Sequence, residues 1–263
     1  MLKVELHAHT ADDPVDRIPH TSRELIDRAA ALGCAALAIT LHDRQLEIGD
    51  LAPYAAGRGI VLIRGIEQTI EGKHVLLLNF SSATGQVRSF EDIARLKQRE
   101  PSGLVIAPHP FFPIPNALGP LLTRHADLFD AVEWHGMFTT MVNFNPPAKR
   151  WATRYGKPLV GSGAVHRLHQ LGSCYSLVDA GPDPDAICDA VREGRVQVAV
   201  KPISFQSAVR TAVDMLASDA RARFESKFDV RSRMSNQVLP RAHEVKTTLP
   251  ARPGRHFKNP LAP

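Results

Sequence analysis

Leu2-Lys3-Val4-Glu5-Leu6-His7-Ala8-His9 is the stretch on which the fold reading of this chain turns. A short apolar run ends in two histidines two residues apart, and on a strand such residues share a face. Both imidazoles then aim at one end of the strand, which is metal-ligand geometry if that end is the C-terminal mouth of a barrel. Four more strand-like runs end in the same residue types: Thr40-Leu41-His42-Asp43, Gly65-Ile66-Glu67, Ala107-Pro108-His109-Pro110 and Val132-Glu133-Trp134-His135.

Between these runs lie amphipathic helical patterns, giving a βαβ rhythm. Strands are predicted at Leu2 to Leu6, Cys34 to Thr40, Ile60 to Ile63, His74 to Phe80, Gly103 to Ala107, Phe129 to Trp134, Pro158 to Val160, Tyr175 to Val178 and Val196 to Val200. Helices are predicted at Ser22 to Leu32, within Asp50 to Gly57, and near Phe90 to Arg99, Ala117 to His125, Pro147 to Tyr155 and Asp183 to Glu193, with a last one at Phe205 to Leu216. Thr21-Ser22-Arg23-Glu24 carries a capping-box pattern, and Gly33 suits the matching helix end. Repeated βα units whose strands finish in polar residues favour a closed α/β barrel of parallel strands over an open sheet.

With 263 residues and 44% hydrophobic content, the chain suits one barrel domain with an appendage. The expected division is a barrel over residues 1–202 and a C-terminal helix with a basic, extended tail over 203–263. From Asp219 onward there are ten Lys and Arg against four Asp and Glu, so the tail carries +6 of a net +5 and the remainder carries −1. This reads as a solvated basic extension or a subunit-packing arm. No apolar run approaches the roughly 20 residues of a membrane span, and no signal-peptide pattern opens the chain. Three scattered cysteines, Cys34, Cys174 and Cys188, read as ordinary thiols, so a cytoplasmic setting is expected and no membrane partner.

Taken together, Glu5-Leu6-His7-Ala8-His9-Thr10, Ala38-Ile39-Thr40-Leu41-His42-Asp43, Gly65-Ile66-Glu67, Gly72-Lys73-His74, Ala107-Pro108-His109-Pro110 and Val165-His166-Arg167-Leu168 resemble the polymerase and histidinol phosphatase (PHP) family of metal-dependent hydrolases. The resemblance implies a distorted seven-stranded (β/α) barrel holding two or three divalent ions, Zn, Mn or Fe. It implies that His7 and His9 bind a first metal, bridged by Glu67 to a second held by His74 and His109. His42 and His166 would bind a third with a ligand from the loop after His9; Asp13 is the choice there, with Asp12 and His20 as rivals. The family usually has an aspartate ligand two residues before the histidine numbered 166 here, where this chain has Ala164. Leu41 and Glu5 replace aspartates that support neighbouring ligands, and Glu133-Trp134-His135 stands where the family often has a glutamate.

The chemistry is coherent in its own right. Imidazole and carboxylate suit these ions, and a bridging carboxylate can hold two metals about 3.5–4 Å apart around a shared hydroxide poised to attack phosphorus. Glu67, His166 and Arg167 are the expected catalytic residues, with Arg17, Lys73, Arg167 and His135 placed to bind substrate. Trp134 and the Phe111-Phe112 pair either shape a pocket or pack. The expected activity is metal-dependent hydrolysis of a small phosphorylated metabolite or nucleotide. A short oligonucleotide stays open, with no stacking platform or base-reading motif in the sequence to support it. The alternatives are an amide or other ester hydrolase on the same cluster, and a metal-binding barrel whose catalysis is reduced or lost through Ala164. The sequence does not specify an oligomeric state.

Overall fold

Two glycine-permissive turn residues decide how the strands are joined. In a computed structural model, Glu71 and Gly72 have φ of 50° and 76°, the two-residue geometry that folds a strand straight back on itself. They connect β3 (Val61–Ile70) to β4 (Lys73–Leu78) as an antiparallel hairpin with Ile70 opposite Lys73. The sequence reads β4 as another parallel unit. Two residues cannot span the crossover that a parallel pair requires, which takes a dozen or more.

The structure describes residues 1–81, 84–211 and 213, all within a compact unit that runs from Met1 to Arg223. The other strands are β1 (Leu2–Glu5), β2 (Ala36–Ile39), β5 (Leu104–Ala107), β6 (Ala131–His135), β7 (Leu159–Ser162), β8 (Cys174–Val178) and β9 (Val196–Val200). They form one mixed sheet in the order β7-β6-β5-β4-β3-β2-β1-β8-β9. Strands β1 to β3 run parallel, as do β5 to β7, while β4 is antiparallel to both its neighbours and β8 to both of its own. Strand β7 returns against β8 and β9, so the sheet is a nearly closed barrel. Helices α1 (Ser22–Ala31), α2 (Leu51–Ala56), α3 (Phe90–Arg99), α4 (Pro120–Arg124), α5 (Pro146–Tyr155) and α6 (Pro184–Arg192) complete the barrel.

Strand alternation sorts side chains into an inner and an outer set. Val4, Ala36, Ala38, Ile63, Leu76, Leu78, Leu104, Ile106, Ala131, Val160 and Val178 form one buried cluster with residues of α6. Their neighbours face the other way: Leu37 and Ile39 pack on α1, and Val105 and Val132 pack with α3 and α5. Burial on both faces accounts for the continuous apolar runs in the sequence. On β6 the face that begins with Ala131 continues as Glu133 and His135, which is how polar groups reach the mouth. The capping box of α1 is present, with Thr21 and Glu24 each bonding the other's backbone, and Gly33 has φ 71°.

Residues 205–211 are helical, and the remainder of the predicted last helix and the basic tail lie outside the described residues. Among the described residues no helix is long and apolar enough to cross a membrane. Cys34, Cys174 and Cys188 are free and buried.

Closure of the barrel depends on Gly161. Its N–H donates to Ser176 Oγ at 3.0 Å, that hydroxyl donates back to the Gly161 carbonyl at 3.0 Å, and a Cβ there would lie 2.6 Å from the Tyr175 carbonyl oxygen. Gly161→Ala must push β7 off β8, so it is expected to cost about 1–3 kcal/mol or more, read as a lower urea midpoint. An unchanged midpoint would show that this close approach is not needed.

Candidate metal centre

Glu67 sits on β3, fully buried, with five imidazoles around its carboxylate. Oε2 lies 3.1 Å from His7 Nε2 and 3.2 Å from the Nε2 atoms of both His9 and His42. Oε1 lies 2.8 Å from His74 Nδ1 and 3.0 Å from His109 Nε2. His74 reaches this position because the hairpin brings the start of β4 to the same end of the barrel as the end of β3. The His9 ring lies 4.5 Å from that of His42 and 4.3 Å from that of His166. Three groupings have donor atoms close enough together to share a cation: His7, His9 and Glu67; His42, Glu67 and His74; and His9, His42 and His166.

The outer nitrogens show what the inner ones are for. His7 Nδ1 lies 2.8 Å from Glu133, His9 Nδ1 2.9 Å from Asp13, and His42 Nδ1 3.0 Å from the same Asp13 oxygen. Ionised carboxylates only accept hydrogen bonds, so each Nδ1 carries a proton, and when the ring is neutral its bare lone pair is at Nε2. All three lone pairs then point at one oxygen of Glu67, itself an acceptor, and His7 and His9 Nε2 are only 3.2 Å apart. Acceptors facing acceptors in a buried site repel unless a cation lies among them, and outward carboxylate partners are what metal-bound histidines usually have. The donor set therefore fits divalent ions.

Protons alone are a poor substitute. Burial depresses His7, yet Glu67 and Glu133 together push it well above the usual histidine range. Burial is likewise outweighed at His42, where Glu67 and Asp13 push it up to about 9. His9 is pulled down to about 4 by burial and by the charge of His166. Burial disfavours the Glu67 charge, but His7, His74 and His42 hold it well below the usual carboxylate range. Neighbouring rings thus make opposite demands, which a shared dication satisfies together. His109 adds a buried Nδ1 with no hydrogen-bond partner and a backbone φ of 29°, a strained conformation of the sort found at functional sites.

Of the residues expected from sequence, His7, His9, His42, Glu67, His74, His109 and His166 come together. Asp13 lies beside them as a hub: Oδ1 accepts from the N–H of Val15 and Asp16, and Oδ2 from His9 Nδ1, His42 Nδ1 and the His42 N–H. Asp12 accepts from Thr10 and Ser22, and His20 Nε2 donates to the His9 carbonyl. Lys73 Nζ donates to the Pro115 carbonyl at 2.7 Å, fastening the loop whose Asn116 amide lies 2.9 Å from His74 Nε2. Arg17 is exposed, and Arg167 donates to the His166 carbonyl. His135 is at the rim, its Nδ1 accepting from the Met137 N–H and its ring 5.9 Å from that of His109. His169 pairs instead with Thr211.

Asp16 and the role of Glu133 escape a sequence reading. Asp16 Oδ2 lies 2.9 Å from His166 Nε2, while His166 Nδ1 bonds the Ala164 carbonyl. Glu133, fully buried, receives the His109 N–H at 2.6 Å and the Ser162 hydroxyl as well as His7. A carboxylate inside the apolar run Ala131-Val132 was the available signal for Glu133; Asp16 had only its place in the acidic loop after His9. Glu5, whose carboxyl burial pushes up to about 8, accepts from the N–H groups of His7 and Gly163 and ties the two ends of the site together. If Asp13 fixes the tautomers of His9 and His42, Asp13→Asn is expected to weaken metal binding about 10–100-fold in chelator competition. Unchanged affinity would reduce Asp13 to a loop-turn residue.

A family model described as PHP-associated matches residues 143–196. The chain is 38% identical over 79 residues to a 3′,5′-nucleoside bisphosphate phosphatase of Chromobacterium violaceum, a match that spans 29% of this chain and 26% of that protein's length. Among solved structures, it is similar to a two-domain protein of Bacteroides vulgatus containing a predicted PHP-like metal-dependent phosphoesterase, with a TM-score of 0.58 and 16% identity over 81% of this chain and 69% of that one. PsfC of Pseudomonas syringae gives a TM-score of 0.58 at 17% identity, covering 83% of this chain and 98% of its own. Residues 143–196 thus match a PHP-associated family model, and the barrel shares its fold with structures described as PHP-like.

Proposed function

We propose that this chain is a metal-dependent phosphoesterase that hydrolyses a small phosphorylated metabolite or nucleotide. The observation that carries the reading is the convergence of the Nε2 atoms of His7, His9 and His42 on one oxygen of Glu67, each ring backed by a carboxylate on its far side. Two or three Zn, Mn or Fe ions suit these donors. His7, His9 and Glu67 would hold one, Glu67, His74 and His109 a second, and His42 and His166 would contribute to a third. Such ions supply Lewis acidity toward a phosphoryl oxygen and a nucleophilic hydroxide at neutral pH. The net reaction adds water across a P–O bond, giving an alcohol and phosphate. The partial similarity to a nucleoside bisphosphate phosphatase supports a phosphate ester as substrate.

The chain's own groups divide the remaining work. Glu67 concentrates negative charge at the centre, while Glu133 and Asp13 orient His7, His9 and His42. Asp13 already accepts five hydrogen bonds, about the capacity of a carboxylate, so Asp16 rather than Asp13 is the better acidic donor beside His166. Arg17 and Arg167, on loops next to ligands, are the candidate phosphate clamps. Lys73 acts through the loop it fastens. Its ammonium is engaged by Pro115.

Ala164 favours a second reading, a metal-binding barrel with reduced turnover, because its side chain offers no donor to the site of His7 and His9. Its φ of 42° is a conformation that aspartate adopts more readily than alanine. Ala164→Asp is therefore expected to be tolerated, to tighten zinc or manganese binding and to raise or preserve phosphate release. Unchanged affinity and rate would mean that position 164 does not face the cluster. Glu67→Gln removes the shared charge, so bound metal by elemental analysis and phosphate release are expected to fall together. If both persist in that variant, Glu67 has no part in the mechanism and the proposal fails.

A further inference from the structure

Beside the cluster stands an apolar rim built by two loops. Phe112 follows His109 in the loop after β5, and Phe144 ends the loop after β6; their ring centroids are 5.5 Å apart at 60°. Phe112 is also 4.8 Å from the His135 ring and 6.4 Å from that of His109. Phe144 is 40% exposed, and Ile114, Met141 and Val142 on the same two loops are exposed as well. Large apolar side chains left in water at the edge of a polar cluster are a binding-surface signature.

The rim is held in position by buried polar contacts. Asn145 accepts from the His135 N–H at 2.8 Å and donates to the His135 carbonyl at 3.0 Å, which fixes the residue next to Phe144 against the end of β6. Buried Thr139 accepts from the N–H groups of Met141 and Val142, closing the loop tip. A surface ordered in advance loses little entropy when a ligand settles on it.

We infer that Phe112 and Phe144 form a stacking ledge for a planar aromatic ring carried by the leaving group of the phosphate ester, the base of a phosphorylated nucleoside. The inference rests on the phosphoesterase reading above and adds the part of the substrate that the cluster does not contact. Tilted phenyl rings offer π faces and edges that favour another ring over an aliphatic chain. The 6.4 Å step from His109 to Phe112 leaves a sugar's reach between a phosphate at the cluster and a base on the ledge.

The test compares adenosine monophosphate with ribose phosphate on the metal-loaded full-length chain. A KM at least about tenfold lower for the nucleotide is expected, with Phe144→Ala raising that KM about tenfold, leaving kcat nearly unchanged and not affecting ribose phosphate. Phe112→Leu and Phe144→Leu, which keep apolar bulk without the ring, should give the same split. Equal KM values for the two esters, or a Phe144→Ala effect shared by both, would overturn the ledge while leaving the phosphoesterase reading standing. If neither ester is hydrolysed by metal-replete protein, that reading fails, and equilibrium dialysis with the same pair decides the ledge alone. Tighter retention of the nucleotide, lost in Phe144→Ala, supports it; equal retention overturns it.

Discussion

The crowding of five imidazoles around the buried carboxylate of Glu67 is the constraint on which the rest of the structure depends. Five imidazoles and a carboxylate are brought to one point by strands β3 and β4 and by the chain segments that leave β1, β2 and β5. Leaving such a site unneutralised costs folding free energy, so the scaffold and its ions are energetically linked. The surrounding carboxylates serve that link by fixing which nitrogen of each ring is bare. Asp13 does this for two rings at once. Glu133 does it for His7 while holding the backbone at His109 and the hydroxyl of Ser162, three separate chain segments tied by one side chain.

Much of this was legible in the sequence because the signals are local. Apolar runs located eight of the nine strands to within a few residues and the start of β3, which runs on to Ile70, and the Thr21–Glu24 capping pattern located the first helix. Histidines and Glu67 at strand ends announced the cluster, since a polar residue at the end of an apolar run needs a partner. The direction of β4 departs from the rhythm of repeated βα units because Glu71-Gly72 is too short for a crossover. Asp16 and the role of Glu133 escaped for another reason. Their partners are 150 and 126 residues away, and no local pattern encodes such pairings.

The aromatic rim illustrates the same limit at the level of specificity. Neither Phe112 nor Phe144 sits in a stacking motif, and the sequence leaves Phe112 open between pocket and packing. Only the juxtaposition of two loops at the barrel mouth makes a surface of them, in keeping with barrels that support varied chemistry by changing their loops. Lys73, expected as a phosphate clamp, also donates to the Pro115 carbonyl of the loop that carries Asn116.

The Glu71-Gly72 hairpin also has a kinetic consequence. Glu67 and His74 are seven residues apart in the chain, and His109 is 42 from Glu67, so this half of the centre closes short loops at low entropic cost. His166 meets Asp16 only across 150 residues. Contacts of low sequence separation form faster than those of high separation. The hairpin half of the centre is thus built from nearby sequence, and the half that needs His166 must close a far longer loop.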